Sequence, residues 1–271
     1  MSTEQQAKLH DYTEDTNQLI TQIDSKVNKT NLTDCIYELL NLEKKTRLSV
    51  DVANTIKLSH HIITLCYNHG EYTLLIDNLI ILMKRRAQLQ KVQESLIKQS
   101  MKYINSIQDQ SIKKSLCEHI RTITDGKLFV EIERARATRY LANYIELIDN
   151  DVVKACELIQ DIQVETIGSM SNTEKIDILL EQFRLNLVIK NYIRAEIISK
   201  KIDLKNFDSN MDKLRDKYYN LIIRFYSYYN QYFDLTKIYR GMWYCTVDHS
   251  LIMCQYTDSI RLYYTNIDDT L

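Results

Sequence analysis

Apolar and polar positions vary along this chain on two scales, a helical one within short segments and a longer one of about forty residues. Short polar breaks mark the longer scale, at 29–31, 69–71, 109–111, 149–151, 190–191 and 230–231. An apolar residue stands two positions after the reference residue of each break (30, 70, 110, 150, 190 and 230), namely Leu32, Tyr72, Ile112, Val152, Tyr192 and Tyr232. A fixed period of this length is typical of repeat architectures.

Two further positions of each period are mostly small or apolar. Five residues after the same reference stand Cys35, Leu75, Ser115, Ala155, Ala195 and Leu235, and twelve residues after it stand Leu42, Leu82, Thr122, Ile162, Ile202 and Met242. Offsets of 2, 5 and 12 share one face of a helix with 3.6 residues per turn, so each break predicts an amphipathic helix of roughly 12 to 16 residues. The rest of each period predicts a second, longer helix, such as 172–189.

A pair of antiparallel helices cannot bury its apolar stripe alone, whereas stacked pairs share a continuous core. The pattern therefore predicts an all-α fold, a right-handed α-solenoid of helix pairs with TPR-like or PCI-type repeats of about forty residues. A compact helical bundle with accidental spacing is the alternative. The absence of proline and the presence of only four glycines favour long uninterrupted helices.

The charge balance and the cysteines limit the classes of partner and the cellular compartment that the sequence allows. Lys and Arg total 35 against 36 Asp and Glu, a formal net charge of -1, so no overall field favours nucleic acid or an anionic membrane. The sequence shows neither a signal peptide nor a membrane span. Six widely spaced cysteines, several of them at positions typical of apolar helix faces, indicate buried thiols in a reducing, intracellular compartment.

The sequence offers no constellation for catalysis. G-x-S-x-G and the phosphate-binding glycine motifs are absent, and the best metal candidate, His60-His61 with Cys66 and His69, has no second ligand pair at zinc-site spacing. We therefore predict a non-enzyme with no metal and no cofactor. The aromatic cluster at 218–233 is interpreted as packing between repeats rather than as a base-stacking surface.

Two charged stretches are candidate surfaces for contact with another protein. The first lies on the helix predicted from FVEIERARATRYLA, where Leu128, Ile132, Ala135 and Ala142 form the apolar stripe, Ala137 and Leu141 widen it, and the charges lie off it. The second is the densest basic run. Together they give the partner-interface candidates Lys84, Arg85, Arg86, Glu131, Glu133, Arg134, Arg136 and Arg139. The i,i+3 pairs of Glu131 with Arg134 and of Glu133 with Arg136 hold both acids ionised, which makes them unsuited to acid-base catalysis.

Several blocks of sequence carry a family resemblance: TDGKLFVEIERARATRYLA, IQVETIGSM, LLEQFRL, YIRAEIISKKI and KYYNLII, together with LLNLEKKTR and LMKRRAQL. In this order and spacing they resemble the non-ATPase regulatory subunit 12 family of the 26S proteasome lid. The resemblance implies a non-catalytic scaffold that supports ubiquitin-dependent protein degradation in the cytoplasm and nucleus as part of a hetero-oligomer. It implies contacts with other lid subunits, the ATPase ring, the core particle and the deubiquitinase subunit.

The resemblance also sets the expected domain limits. Residues 1–16 are expected to be a flexible N-terminus and 17–243 to be the helical repeats. After Trp243 the match fades, so 244–271 is a divergent segment where the family has its PCI winged-helix domain, and that domain is expected to be absent. Two other functions stay open: a PCI-type scaffold of the COP9 signalosome, and an RNA-binding helical-repeat protein.

Overall fold

The chain is described by a computed structural model that covers residues 12–27, 31–208 and 210–243. These residues form twelve α-helices and no strand, which confirms the all-α prediction. The helices are α1 Thr13–Lys26, α2 Leu32–Leu48, α3 Val52–Asn68, α4 Tyr72–Lys84, α5 Gln90–Ser106, α6 Gln110–Ile123, α7 Glu131–Leu147, α8 Val152–Gln160, α9 Asn172–Val188, α10 Tyr192–Lys201, α11 Asp212–Tyr228 and α12 Tyr232–Trp243.

The forty-residue period is visible in where the helices begin. Five of the six predicted first helices start at the apolar residue two positions after the reference, at Leu32, Tyr72, Val152, Tyr192 and Tyr232. The residues five positions after the reference are buried in the same helices, with Ala155 and Ala195 fully inaccessible. The predicted repeat of paired helices is therefore confirmed, while its right-handed winding stays a prediction.

The third period departs from the pattern. Helix α6 starts at Gln110 because the Asp109 carboxylate accepts a hydrogen bond from the backbone N–H of Ser111 at 2.8 Å and caps the helix two residues early. Leu116 and Ile123 are buried, whereas Thr122 is exposed. The predicted core positions Ser115 and Thr122 are therefore wrong by one residue.

The second helices of the repeats share one length. Helices α3, α5, α7, α9 and α11 each contain 17 residues. The first helices vary more than predicted, from 9 residues in α8 and 10 in α10 to 17 in α2. The second helices supply the constant element of the repeat.

The chain divides into two compact units, residues 1–141 and 142–271, and the limit falls within α7. In the first unit, successive second helices are joined by the stacked rings of Tyr67 and Tyr103, 4.2 Å apart. In the second unit, Phe183 of α9 lies 6.0 Å from Phe225 of α11, and Phe183 is fully buried. Each unit therefore builds its core from helices about forty residues apart.

The thiols follow the sequence-based expectation where the structure describes them. Cys35, Cys66, Cys117 and Cys156 are free and buried, and burial raises the pKa of the Cys66 and Cys117 thiols to about 12. Cys245 and Cys254 lie outside the described residues, as do residues 1–11 and the divergent segment 244–271. Helix α1 begins at Thr13 and buries Thr16, so the last four residues of the segment 1–16 are helical.

Candidate interaction surfaces

The charged stretch of the sequence analysis forms the first turns of α7. Residues Leu128–Val130 make one turn of 3-10 helix, and α7 follows at Glu131. Val130 is fully buried while Leu128 is 82% exposed, so the predicted stripe is wrong at its first residue because the 3-10 turn gives the buried position to Val130. The alanines Ala135 and Ala142 are buried, as predicted.

Glu133 is a second correction on this helix. It was predicted to lie outside the stripe, yet it is 6% exposed. The buried apolar residues of α7 extend from Ala137 round to Ala135, an arc of about 160° at about 100° per residue, and Glu133 lies about 40° beyond Ala137, at the margin of that arc. The pKa of Lys98 on α5 is raised chiefly by its hydrogen bond with Glu94 and, to a smaller extent, by the charge of Glu133. Glu133 is therefore unsuited to a partner contact.

The remaining charges of α7 point outward to different degrees. Arg136 is exposed, and Glu131, Arg134 and Arg139 are half-buried. The guanidinium of Arg134 pairs with Asp125, at 2.8 Å between Nη2 and Oδ1. We call Glu131, Arg134, Arg136 and Arg139 the α7 ridge, a mainly basic surface in the first unit.

The basic run 84–86 is divided between the surface and an internal ion pair. Lys84 ends α4 and is exposed, as is Arg86. Arg85 donates from Nη1 to Oε2 of Glu43 at 2.7 Å, and Glu43 is fully buried. The backbone carbonyl of Arg86 accepts a hydrogen bond from Arg47. Arg85 therefore anchors the end of α4 to α2. Of the three basic residues of this run, Lys84 and Arg86 have exposed side chains.

An exposed apolar ladder in the second unit was not predicted from the sequence. Its members stand on either side of the turns between paired helices, at two positions of the repeat: Ile148, Val188 and Tyr228 before the turn, and Val153, Ile193 and Phe233 after it. Each is between 50% and 74% exposed. The corresponding residues of the first unit are polar: Asn68, Gln108, Thr73 and Lys113. Comparison of these two repeat positions along the sequence would have found the ladder.

The tyrosine-rich cluster splits between core and surface. Tyr218, Tyr219 and Phe225 are buried, which confirms their predicted packing role. Tyr228 is 57% exposed but stacks on Tyr192 with ring centroids 3.7 Å apart, so it also joins one repeat to the next. The cluster therefore contributes to packing even where it reaches solvent.

Two of the residues weighed as metal ligands, Cys66 and His60, contribute to the packing of α3. Cys66 is fully buried, and His60 shares a hydrogen bond of 2.8 Å with Ser95 of α5. Within the described residues, no group of three or more His, Cys, Asp or Glu side chains is arranged to hold a metal ion. None of the helices that the structure describes combines the length and the apolarity needed to span a bilayer.

Paired helices repeated at about forty residues, with a core shared between neighbouring pairs, define a helical-repeat protein. The family described as PSMD12/CSN4, N-terminal, matches residues 34–249. The chain belongs to this family.

Relatives with known names are similar over most of the chain. The 26S proteasome non-ATPase regulatory subunit 12 of Dictyostelium discoideum is 37% identical over 214 residues, which cover 78% of this chain and 47% of the relative. Homolog B of the same subunit in Arabidopsis thaliana is 35% identical over 78% of this chain and 53% of its own length. The 26S proteasome regulatory subunit RPN5 of Saccharomyces cerevisiae is 31% identical over 82% of this chain and 51% of its own. The chain thus spans about half the length of the curated relatives it matches.

Proposed function

We propose that the chain is a non-catalytic scaffold subunit of the 26S proteasome regulatory particle lid and supports ubiquitin-dependent degradation through protein contacts. The observation that carries the proposal is its membership of the PSMD12/CSN4 N-terminal family, together with the three relatives described above, each of which is named as a proteasome regulatory subunit. Buried carboxylates that tie helices together support it: Glu43 of α2 pairs with Arg85 at the end of α4, and Glu181 of α9 pairs with Lys217 of α11.

The proposed partners are other lid subunits, the ATPase ring, the core particle and the deubiquitinase subunit, in the cytoplasm and nucleus. We assign the contact surface of the first unit to Lys84, Arg86 and the α7 ridge. These side chains reach solvent, and their net positive charge suits an acidic neighbouring surface. Arg85 and Glu133 are left out because their side chains serve the interior.

The test is purification of the tagged full chain from native cell lysate, followed by mass spectrometry of the bound proteins. A charge-reversed variant, Lys84→Glu/Arg86→Glu/Arg136→Glu, is compared with a matched control, Lys45→Glu/Lys57→Glu/Lys91→Glu, which makes the same change in net charge at other exposed lysines of the first unit. We expect lid and ATPase subunits with the wild type and the control, and a clear loss with the surface variant.

The outcomes separate the two parts of the proposal. Absence of lid and ATPase subunits from the wild-type sample would overturn the function, and recovery of cullin-type proteins with signalosome subunits would replace it by the COP9 alternative. Equal recovery with wild type and surface variant would leave the function standing and refute the surface assignment.

A further inference from the structure

A groove in the second unit lies between α10 and the segment 161–171 that joins α8 to α9. It encloses about 260 Å³. The residues that matter to its chemistry are Gln160, Ile162, Glu165, Arg194, Ile197 and Lys201. Cavities for drug-sized molecules are usually larger, so this volume suits one or two side chains of a partner.

The wall formed by the joining segment is fixed in place. Ile162, Val164 and Ile167 are each at most 8% exposed and anchor the segment in the core. From α9, the buried Gln182 side chain donates Nε2 to the carbonyl oxygens of Ile159 at 2.8 Å and Ile162 at 3.0 Å. The groove therefore exists before any ligand arrives, and little ordering is needed on binding.

The opposite wall is one face of α10. Arg194, Ile197, Ile198 and Lys201 follow one another at i, i+3, i+4 and i+7, so they share that face. Arg194 and Lys201 are two turns apart, about 10 Å along the helix axis. Between them Ile197 is 54% exposed, and Ile198 forms the buried floor at 7%. An apolar surface is thus bracketed by two cations.

The charges that line the groove are unequal. Arg194 donates a hydrogen bond from Nη1 to the uncharged Oε1 oxygen of Gln160. Lys201 pairs with Glu165, which is the only carboxylate among the residues lining this groove, at 2.6 Å and with both side chains about half exposed. The lining is therefore net positive although the chain as a whole is close to neutral.

We propose that this groove binds a short extended peptide segment in which two carboxylates flank one large apolar side chain. In an extended chain, residues i, i+2 and i+4 point to one side, so the pattern acidic-x-apolar-x-acidic spans about 13 Å. The long side chains of Arg194 and Lys201 can each reach one of the two carboxylates at the ends of this span, while the apolar residue of the peptide packs on Ile197. At Lys201, the carboxylate of the peptide takes the place of the Glu165 carboxylate. Because the side chains of Lys201 and Glu165 are about half exposed, this exchange leaves no buried charge without a partner.

A peptide fits better than a phosphate chain. The exposed apolar side chain of Ile197 has no group that can hydrogen-bond to a phosphate, and the carboxylate of Glu165 would repel one. The inference stands apart from the proposed function, because it concerns the isolated chain whichever assembly contains it.

The test is fluorescence anisotropy of the full 271-residue chain with a fluorescein-labelled peptide Gly-Glu-Ser-Leu-Ser-Glu-Gly. We expect saturable binding with a Kd on the order of 100 µM, as befits a small interface, and weaker binding as salt rises. Arg194→Glu/Lys201→Glu should weaken binding at least tenfold and should instead bind the peptide with lysine in place of both glutamates. The matched control is Lys200→Glu, one residue from Lys201 and paired with Glu196 outside the groove.

A second variant guards against misfolding of the charge-reversed chain. Ile197→Ser changes a half-exposed residue and should weaken binding several-fold with an unchanged circular dichroism spectrum. The proposal is overturned if the wild type shows no saturable binding, if the lysine peptide binds the wild type equally well, or if Ile197→Ser has no effect. Stronger binding of a single-stranded RNA oligonucleotide that is lost with Arg194→Glu/Lys201→Glu would also overturn it, in favour of a phosphate site.

Discussion

At the residue scale, the buried carboxylate of Glu43 shows how a connection between helices is held. Glu43 is fully inaccessible and accepts from Arg47 Nε at 3.1 Å, Arg85 Nη1 at 2.7 Å and Gln88 Nε2 at 3.3 Å. Two of these donors lie at the junction of α4 and α5, forty-two and forty-five residues away in sequence. The carboxylate therefore fixes that junction against α2.

Removal of this carboxylate should destabilise the first unit. We expect Glu43→Ala to cost about 3 kcal/mol, because it leaves the guanidinium of Arg47, only 8% exposed, without its charged partner. The matched control is Glu94→Ala, which breaks the exposed i,i+4 pair with Lys98 and should cost about 0.5 kcal/mol or less. Urea unfolding followed by circular dichroism measures both, and equal small effects would contradict the assigned role of Glu43.

The adjacent histidines of α3 are expected to make the free energy of unfolding depend on pH. Burial lowers the pKa of both His60 and His61, with Lys102 lowering that of His60 further, while Ser95 and Asp24 oppose the shifts. Near pH 6.5 the histidines of the unfolded chain therefore bind protons, whereas the same histidines in the folded chain stay neutral. Their contribution to the free energy of unfolding is complete above that pH and decreases as the pH falls towards 5.

Thermal unfolding at pH 7, 6 and 5 tests this dependence. The midpoint of the wild type should fall across the series, and the fall should be smaller in His60→Asn/His61→Asn, whatever the midpoint of the variant at pH 7. An identical decline in the two proteins would assign the pH dependence to other groups.

At the element scale, the repeat is defined by the turn between paired helices. Residues separated by forty or eighty positions adopt the left-handed conformation there: Gly70, Asn150, Lys190 and Asn230 have φ of 71°, 54°, 59° and 53°. After three of these turns the next N–H reaches back into the preceding helix, to the carbonyl of Cys66, Asn186 or Tyr226. This bond pattern ends a helix and explains why a chain with four glycines can still turn so often.

Substitutions of two glycines measure how much the left-handed backbone of such a turn contributes to the free energy of unfolding. Gly70→Ala meets no atom within 4 Å, so its expected destabilisation of about 1 kcal/mol comes from the left-handed backbone alone. Gly168→Ala is the matched control, since it also meets open space but lacks a positive φ, and it should be neutral or slightly stabilising. Equal unfolding midpoints for the two variants would refute the argument.

At the scale of the whole molecule, the sequence predicted the features that depend on local spacing. The period, the first residues of α2, α4, α8, α10 and α12, and the buried thiols all follow from helical periodicity. Two of the features it missed depend on contacts between helices. Arg85 reads as a surface cation until Glu43 is found opposite it, and Glu133 reads as exposed until the buried arc of α7 is seen to extend to it. The apolar ladder was missed because its members are spaced by the repeat and not by the helix.

The alternative of an RNA-binding repeat protein yields a prediction for the whole chain. Its net charge is -1, and several of its cations are engaged internally, including Arg184 with Glu146 and Lys217 with Glu181. Contact with a phosphate backbone would have to break such pairs, so we expect no binding of a mixed-sequence RNA of about 20 nucleotides at about 150 mM salt. Anisotropy of a labelled RNA titrated with the full chain is the measurement, with a lysine-rich peptide as the positive control. Tight binding that weakens steeply as salt is raised would show phosphate contacts and would favour the RNA-binding alternative over a protein scaffold.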